Sequence, residues 1–314
     1  MNILVCTDIF RNGGLETHII TFAKHFRENG HKIFLSTDGL SRGYLQSYKS
    51  IFKDILFLQD SFNWDWADFV NISEKIADYI IKNKIDAVIC HPFGAFVYAV
   101  HACIKTNCPY FPVFHGPASV NPSYPLYFKE FYDLWLEHIT LPKAAHSFAV
   151  SNETIELLKS KANSIASKTS LLLNPVTVFS KPKLSNSKQE YIFFASRIDN
   201  DKYNSIISSI LFFEEKIVPE FPNLKLYIAG EGSKLDDLAR FILEKNLKEK
   251  VRLLGFMSYP EMMSMISNAK LIIGMGRVCL EAIILKKRVI LAGYDGLKDL
   301  VTISNIKSYG KNNF

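Results

Sequence analysis

No stretch of these 314 residues approaches the run of about 18 apolar side chains that crossing a bilayer requires. The opening MNILVCTDIF turns acidic at Asp8 and carries no cleavage site, so no secretory leader is expected and the chain is expected to stay in the cytosol. Cysteine is scarce: Cys6, Cys90, Cys103, Cys108 and Cys279 are five, an odd number, with no C-x-x-C spacing. That argues against a disulfide framework and a thiolate zinc site, and leaves them as reduced, structural thiols. Neither sign of charge dominates, since 37 Lys and Arg against 31 Asp and Glu leave only +6. So mild a balance suits a solvated surface, phosphate ligands or a loose hold on an anionic leaflet, and does not imply nucleic acid.

What is present is apolar residue, 48% hydrophobic against 22% charged, which is ample for buried sheets and excludes wholesale disorder. The length fits two domains better than one core. Short β-branched runs alternate with amphipathic stretches, the pattern of a parallel sheet covered by helices. In the first half the spacing predicts strands at 2–6, 32–36, 55–58, 87–90, 110–114, 147–150 and 171–173. A helix over Leu15–Asn29 carries Leu15, Ile19, Phe22, Ala23 and Phe26 on one face, with Gly30 as its stop. The polar, proline-bearing 180–189 segment reads as a linker, giving an N-terminal domain of 1–179 and a C-terminal domain of 190–314. The second half predicts strands at 191–195, 225–229, 251–254, 271–273 and 289–292, and a helix near Pro260 capped by Ser258. Two such halves imply a cleft between parallel sheets, with ligands beyond the carboxyl ends of the strands.

The loops after those strands hold the candidate residues. Arg11-Asn12-Gly13-Gly14 opens the first helix, where bare backbone and free N–H groups suit a phosphate or a polar sugar. A tight strand-to-helix turn is the plainer reading of the same glycines, and without G-x-G-x-x-G spacing a dinucleotide site is disfavoured. Glu16 and His18 lie in that helix's first turns, as cleft lining or as an ordinary helix-start pair. His115 and His91 each follow a strand, as ligand contacts or as structural hydrogen-bonders. After 191–195 come Arg197 and Lys202, two cations able to clamp a diphosphate by a planar fork and a point charge. Asp199 and Asp201 between them allow a solvated, self-paired turn instead. Gly230 and Gly255 mark small-residue turns. The richest loop is Gly274-Met-Gly-Arg-Val-Cys-Leu-Glu281: Gly274 and Gly276 admit a phosphate, Arg277 adds charge, and Glu281 can accept from a ribose diol or serve as a helix-start acid.

Taken together and in order, Gly13-Gly14-x-Glu16-x-His18, Phe148-Ala-Val-Ser151, Leu173-Asn-Pro-Val176, Ser196-Arg197 with Lys202, Leu226-Tyr-Ile-Ala-Gly-Glu-Gly232, Val251-Arg-Leu-Leu-Gly255 and Leu280-Glu281-Ala282 resemble the retaining glycosyltransferases of the group-1 or family-4 class. The resemblance spans nearly the whole chain and implies an α/β fold of the GT-B kind, two Rossmann-like domains with parallel sheets facing a central cleft. It implies transfer of a hexosyl group from a nucleotide sugar to a polysaccharide or glycolipid acceptor, on the cytoplasmic side or peripheral to the membrane. Arg197 and Lys202 would bind the donor diphosphate and carry catalysis with His115, which would approach the transferred sugar. Glu281 would hold the ribose, Gly276 and Arg277 would join the donor site, and the Gly13-Gly14 loop would cover phosphates and sugar. Glu16, His18, Gly230 and Gly255 would line the cleft. The family usually works without a metal, so no metal or other cofactor is expected, the nucleotide sugar being a substrate.

Two departures from the pattern keep a second function open. The family's glutamate eight positions before Glu281 is Ile273 here, and the terminal crossover helices are expected to be shortened or absent. A catalytically weak, nucleotide-sugar-binding subunit of a partner transferase is therefore the alternative. For the acceptor, the aromatic stripe Tyr127, Phe128, Phe131, Tyr132 and Trp135 within Tyr124–Trp135 reads as a lipid or sugar platform or as a core-facing helix. Tyr44–Leu58, with Lys49 and Lys53, is a similar case for contact with anionic membrane.

Overall fold

The structure, a computed structural model, describes residues 1–10, 13–46, 48–59, 66–122, 126–161, 168–176, 189–311 and 314, with backbone only at 43, 44, 66, 126 and 127. Most of the expected linker, Arg11, Asn12, Tyr124 and the side chains of Tyr44 and Tyr127 thus lie outside the described residues. The chain forms two compact units, Met1–Pro175 and Val176–Phe314.

Unit 1 is built on β1 (Asn2–Cys6), β2 (Lys32–Thr37), β3 (Asp54–Phe57), β4 (Ala87–Cys90), β5 (Tyr110–Phe114), β6 (Ser147–Ala149) and β7 (Thr169–Leu171). Their order is β3-β2-β1-β4-β5-β6-β7, with every neighbouring pair parallel. The central strands are buried on both faces, which is why they read as unbroken apolar runs such as Ile3–Cys6. The first helix, Gly14–Glu28, ends at Asn29, and Gly30 follows at φ +83° while His31 N–H donates to Phe26 O at 3.0 Å. β7 lies two residues before its expected place, because its partners on β6 are Ser147 to Ala149 and Leu173 runs on into solvent.

The aromatic stripe is core packing. In the helix Leu126–Trp135, Phe128 and Tyr132 are buried, Phe131 and Trp135 pack against the same core, and the indole N–H of Trp135 donates to Phe96 O at 3.1 Å. Rings of this size gain more from leaving water than from lining a surface, and Phe69, from the helix Trp66–Asn83, stacks on Phe128 and Phe131.

Unit 2 is built on β8 (Tyr191–Ala195), β9 (Lys225–Ala229), β10 (Val251–Gly255), β11 (Leu271–Gly274), β12 (Val289–Gly293) and β13 (Gly296–Leu300), in the order β10-β9-β8-β11-β12-β13. The first five strands are parallel; β13 returns antiparallel on β12. β13 was not legible in the sequence because Gly-Leu-Lys-Asp-Leu is mostly exposed, as an edge strand allows. The helix Tyr259–Asn268 starts as expected at Ser258, and Glu261 accepts from the Ser258 N–H at 2.8 Å and hydroxyl at 2.6 Å.

Candidate functional site

In each unit the strand order reverses at one place, between β1 and β4 in unit 1 and between β8 and β11 in unit 2. Parallel sheets bind ligands at such points, past the carboxyl ends of the strands. The two units furnish theirs differently.

At the reversal in unit 1, Asp8 follows β1 and is 6% exposed. Its carboxylate accepts from the backbone N–H groups of Phe93, Gly94 and Ala95 at 2.8, 2.7 and 2.8 Å, and from the Tyr98 hydroxyl at 2.6 Å. The start of the helix Ala95–Thr106, where a phosphate would otherwise sit, is thus filled by the protein's own anion. Burial pushes the Asp8 carboxyl up, against the pull of those four donors. Beside it lies a histidine cluster. His91 Nδ1 and His115 Nε2 share a hydrogen bond at 2.8 Å, His18 Nδ1 meets Asn174 Oδ1 at 2.8 Å, and the His18 and His115 rings are 4.6 Å apart, edge to face. Burial, then the neighbouring His18, pushes His91 well below the usual imidazole value, so it is neutral. Of the expected residues, this brings His18 and His115 together; Gly13 and Gly14 are exposed at the start of the His18 helix, with Glu16 half-buried one turn on. His91, read with His115 as a ligand contact or a structural hydrogen-bonder, is here the hydrogen-bonding partner of His115, whereas Asn174 was not singled out by the sequence.

At the reversal in unit 2, β8 pairs with β11, so the loops after these strands are neighbours. Arg197 and Lys202 follow β8. The Arg197 side chain is 69% exposed and donates to Asp199 Oδ2 at 3.0 Å, with its other terminal nitrogen 3.6 Å from Asp201. Lys202, in the first turn of the helix Asn200–Phe212, is 9% exposed, with its ammonium 3.8 Å from Asp201 and 3.4 Å from the centre of the Tyr294 ring. Asp199 also accepts from the Ser233 N–H at 2.9 Å and hydroxyl at 3.1 Å, which hold its carboxyl below the usual range. Asp199 and Asp201 have the two-apart spacing of paired metal carboxylates, but here both serve the two cations. Among the described residues no three His, Cys, Asp or Glu side chains are arranged to hold a metal ion.

The glycines expected to line this region divide into two roles. Gly230 (φ +143°) is where the loop after β9 crosses the loop after β8: a Cβ there would lie 1.8 Å from Ser196 O. It is a packing requirement, which keeps the Arg197 loop in place. Gly255 ends β10, its carbonyl accepting from the Gly230 N–H at 2.9 Å. Gly276 (φ +61°) starts the helix Arg277–Ile284, with no side chain capping it; its N–H donates to Phe314 O at 2.7 Å.

Glu281 lies one turn into that helix, 2% exposed, and burial raises its carboxyl to about 7 against the Arg277 guanidinium and the Tyr259 hydroxyl, which pull it down. Arg277, expected to offer its charge to a phosphate, is turned inward with a terminal nitrogen 3.7 Å from Glu281 Oε1. Its burial follows from its place as the first residue of a helix packed on β11. Tyr294 and Tyr259 were missed: one sits on a hairpin that the sequence did not announce, and the other precedes Pro260 in what reads as a plain helix start.

The family model for Glycosyltransferase Family 4 matches residues 12–178, and that for Glycosyl transferases group 1 matches residues 176–307. None of the curated proteins matches in sequence. Among solved structures, the chain is similar to Alr3699/HepE of Anabaena in complex with UDP-glucose, at 16% identity and TM-score 0.72 over 94% of this chain and 81% of that one. A glycosyltransferase from Rickettsia africae is similar at 19% identity and TM-score 0.66, over 92% and 78%. A putative UDP-N-acetylglucosamine 2-epimerase from Listeria monocytogenes is similar at 12% identity and TM-score 0.65, over 92% and 78%. At these identities the likeness is one of fold, the α/β GT-B architecture, which an epimerase can share. The family models, covering both units in sequence, go further: the chain belongs to the family-4, group-1 glycosyltransferases.

Proposed function

We propose that the chain transfers a hexosyl group, with retention of anomeric configuration, from a nucleotide sugar held by unit 2 to a carbohydrate or lipid-linked acceptor. One observation carries the reading: β8 and β11 are paired at the reversal of the sheet, so the Arg197–Lys202 loop and the Gly276–Glu281 helix start adjoin. The guanidinium and ammonium offset the charge that develops on the departing diphosphate, which is the principal electrostatic demand of glycosyl transfer. Glu281, its proton lost, accepts from the ribose hydroxyls. Gly276, whose N–H donates to Phe314 O, puts no Cβ in the way of a phosphate. The filled helix start at Asp8 supports the assignment of the donor to unit 2. His115 keeps the role of sugar contact that the family resemblance implies for it. The UDP-glucose complex of the Anabaena protein makes a uridine diphosphate sugar the first donor to try. The reading needs no metal. Among the described residues no helix is long and apolar enough to cross a membrane, so a lipid-linked acceptor would be met at the surface.

A thermal-shift screen against UDP, GDP, ADP and their sugars tests the donor, followed by analysis of nucleotide release with and without acceptor. Stabilisation by one nucleotide family, lost in Arg197→Ala combined with Lys202→Ala, is expected. No stabilisation by any of them removes the proposal. The second reading, an accessory nucleotide-sugar-binding subunit, is favoured by Ile273, fully buried in the core where the family pattern has its first glutamate. Binding without nucleotide release under any condition decides for it.

A further inference from the structure

We infer that Tyr294 is a positioning residue for Lys202: its ring holds the ammonium at the carboxyl end of β8, so that only the long contact to Asp201 has to give way to the donor diphosphate. The inference rests on the reading of Lys202 as a diphosphate ligand.

Lys202 is nearly buried, and a lysine so placed ordinarily takes a carboxylate. The nearest one, Asp201, is at 3.8 Å and also lies 3.6 Å from Arg197. The Tyr294 ring centre is closer, at 3.4 Å. A carboxylate partner must be displaced before a phosphate can take its place, whereas the ring face attracts the cation through its quadrupole and leaves it charged. Tyr294 is itself 60% exposed, so its place is not explained by burial in the core.

The ring is held there by construction. Tyr294 stands at the tip of the β12–β13 hairpin, whose last paired residues are Gly293 and Gly296. Gly296 has φ +133°, and a Cβ on it would come within 3.0 Å of Ser208 Oγ. The hairpin therefore lies directly on the helix Asn200–Phe212 that carries Lys202. The antiparallel return of β13, which breaks the parallel rule of the sheet, is what delivers the ring.

Titration calorimetry of the full chain with UDP and with inorganic pyrophosphate tests this, for wild type, Tyr294→Phe, Tyr294→Leu, Lys202→Met and the Tyr294→Leu, Lys202→Met double variant. Tyr294→Leu is expected to weaken both ligands about three- to tenfold, the range of a partly desolvated cation–π contact. Tyr294→Phe, keeping the ring, stays within about twofold of wild type. On the Lys202→Met background the leucine change adds nothing, because the two residues act as one unit. Wild-type affinity in Tyr294→Leu, an equal loss in Tyr294→Phe, or an undiminished loss on the Lys202→Met background overturns the inference. A ligand-free arm separates it from the reading beneath it: acetic anhydride labelling, read by mass spectrometry, should rise at Lys202 relative to Lys298 in Tyr294→Leu. Unchanged labelling overturns the inference whatever binds. Raised labelling in a chain that binds neither UDP nor pyrophosphate upholds the Tyr294 contact and overturns the diphosphate reading alone.

Discussion

The carboxylate of Asp8 accepts from the hydroxyl of Tyr98 at 2.6 Å, one turn into the helix Ala95–Thr106, and from the N–H groups of Phe93, Gly94 and Ala95 that lead into it. Residues 85 to 90 positions apart in sequence thereby close the point at which unit 1's sheet reverses, from inside the protein. At the corresponding helix start in unit 2, that of Arg277–Ile284, no side chain caps Gly276, whose N–H donates instead to the Phe314 backbone oxygen at 2.7 Å. Two sheets with the same reversal are thus chemically distinguished, one met at its helix start by a buried carboxylate and the other by a backbone oxygen.

Asp8→Asn tests the plug. The amide can accept at one oxygen only and turns an N–H toward backbone donors, so buried groups lose partners. A cost of about 2 to 4 kcal/mol in chemical denaturation of unit 1 is expected. Tyr98→Phe, which removes one hydroxyl, should cost about 1 kcal/mol. UDP affinity should be unchanged in both. A stability loss within experimental error for Asp8→Asn would show that the carboxylate is not what holds the 93–95 backbone.

Asp201→Asn should strengthen nucleoside diphosphate binding. Asp201 lies 3.6 Å from Arg197 and 3.8 Å from Lys202, long separations at a part-exposed site, so it adds little to stability while competing with a phosphate for both cations. An affinity gain of about two- to fivefold, greatest at low salt, follows from removing a pair worth up to about 1 kcal/mol. Asp199→Asn should not mimic it, because Asp199 also ties the Ser233 loop in place. Equal or weaker binding in Asp201→Asn would place the phosphate elsewhere.

The parallel strands were legible because burial on both faces writes them as apolar runs: Asn2–Cys6, Tyr110–Phe114 and Lys225–Ala229 end where the sequence places them. The loops carrying Arg197, Lys202 and Glu281 were legible for the same reason, as charge and glycine at the ends of such runs. Orientation was not. Nothing local says that Arg277 turns in toward Glu281 while Arg197 turns out, since helix packing on β11 decides the first and solvent the second. Nor could Tyr294 be found beside Lys202, 92 positions away, without the β13 hairpin, and that strand lacks an apolar pattern because it forms the edge of its sheet. The aromatic stripe showed the converse: helical periodicity was read, but whether it faced core or ligand depended on Phe69 and Phe96, from other elements.

Glu281 makes unit 2 sensitive to pH. Burial raises its carboxyl from 4.5 to about 7 in the folded unit, so between these values the unfolded chain has lost a proton that the folded one keeps. Stability should therefore fall as pH rises from 4.5 to 7 and level off above, by up to about 3 kcal/mol at 1.36 kcal/mol per unit. A ribose diol donates to the ionised form, so UDP affinity should run the other way, rising with pH and levelling above 7. Glu281→Gln should flatten both profiles and weaken UDP while leaving pyrophosphate binding intact. A Gln variant with an undiminished pH dependence of UDP binding would assign the titration to another group.

His91 gives unit 1 the opposite slope. Burial and the nearby His18 hold it neutral well below its ordinary 6.5, whereas in the unfolded chain it takes a proton as pH drops through that value. Above 6.5 both states are neutral and the group contributes no pH dependence; below it the unfolded chain gains a proton that the folded unit refuses. Stability of unit 1 should thus decline as pH falls from 6.5, with a slope of up to about 1.4 kcal/mol per unit from this one imidazole. The check is urea denaturation from pH 8 to 5, with His91→Gln as the comparison. The amide keeps a hydrogen-bonding partner for His115 but cannot titrate, so its profile should lose that slope, and donor-dependent turnover should show whether His115 needs an imidazole beside it. A wild-type profile flat to pH 5 would mean that His91 charges in place, and the hydrogen bond to His115 would then have to be drawn as that of an imidazolium.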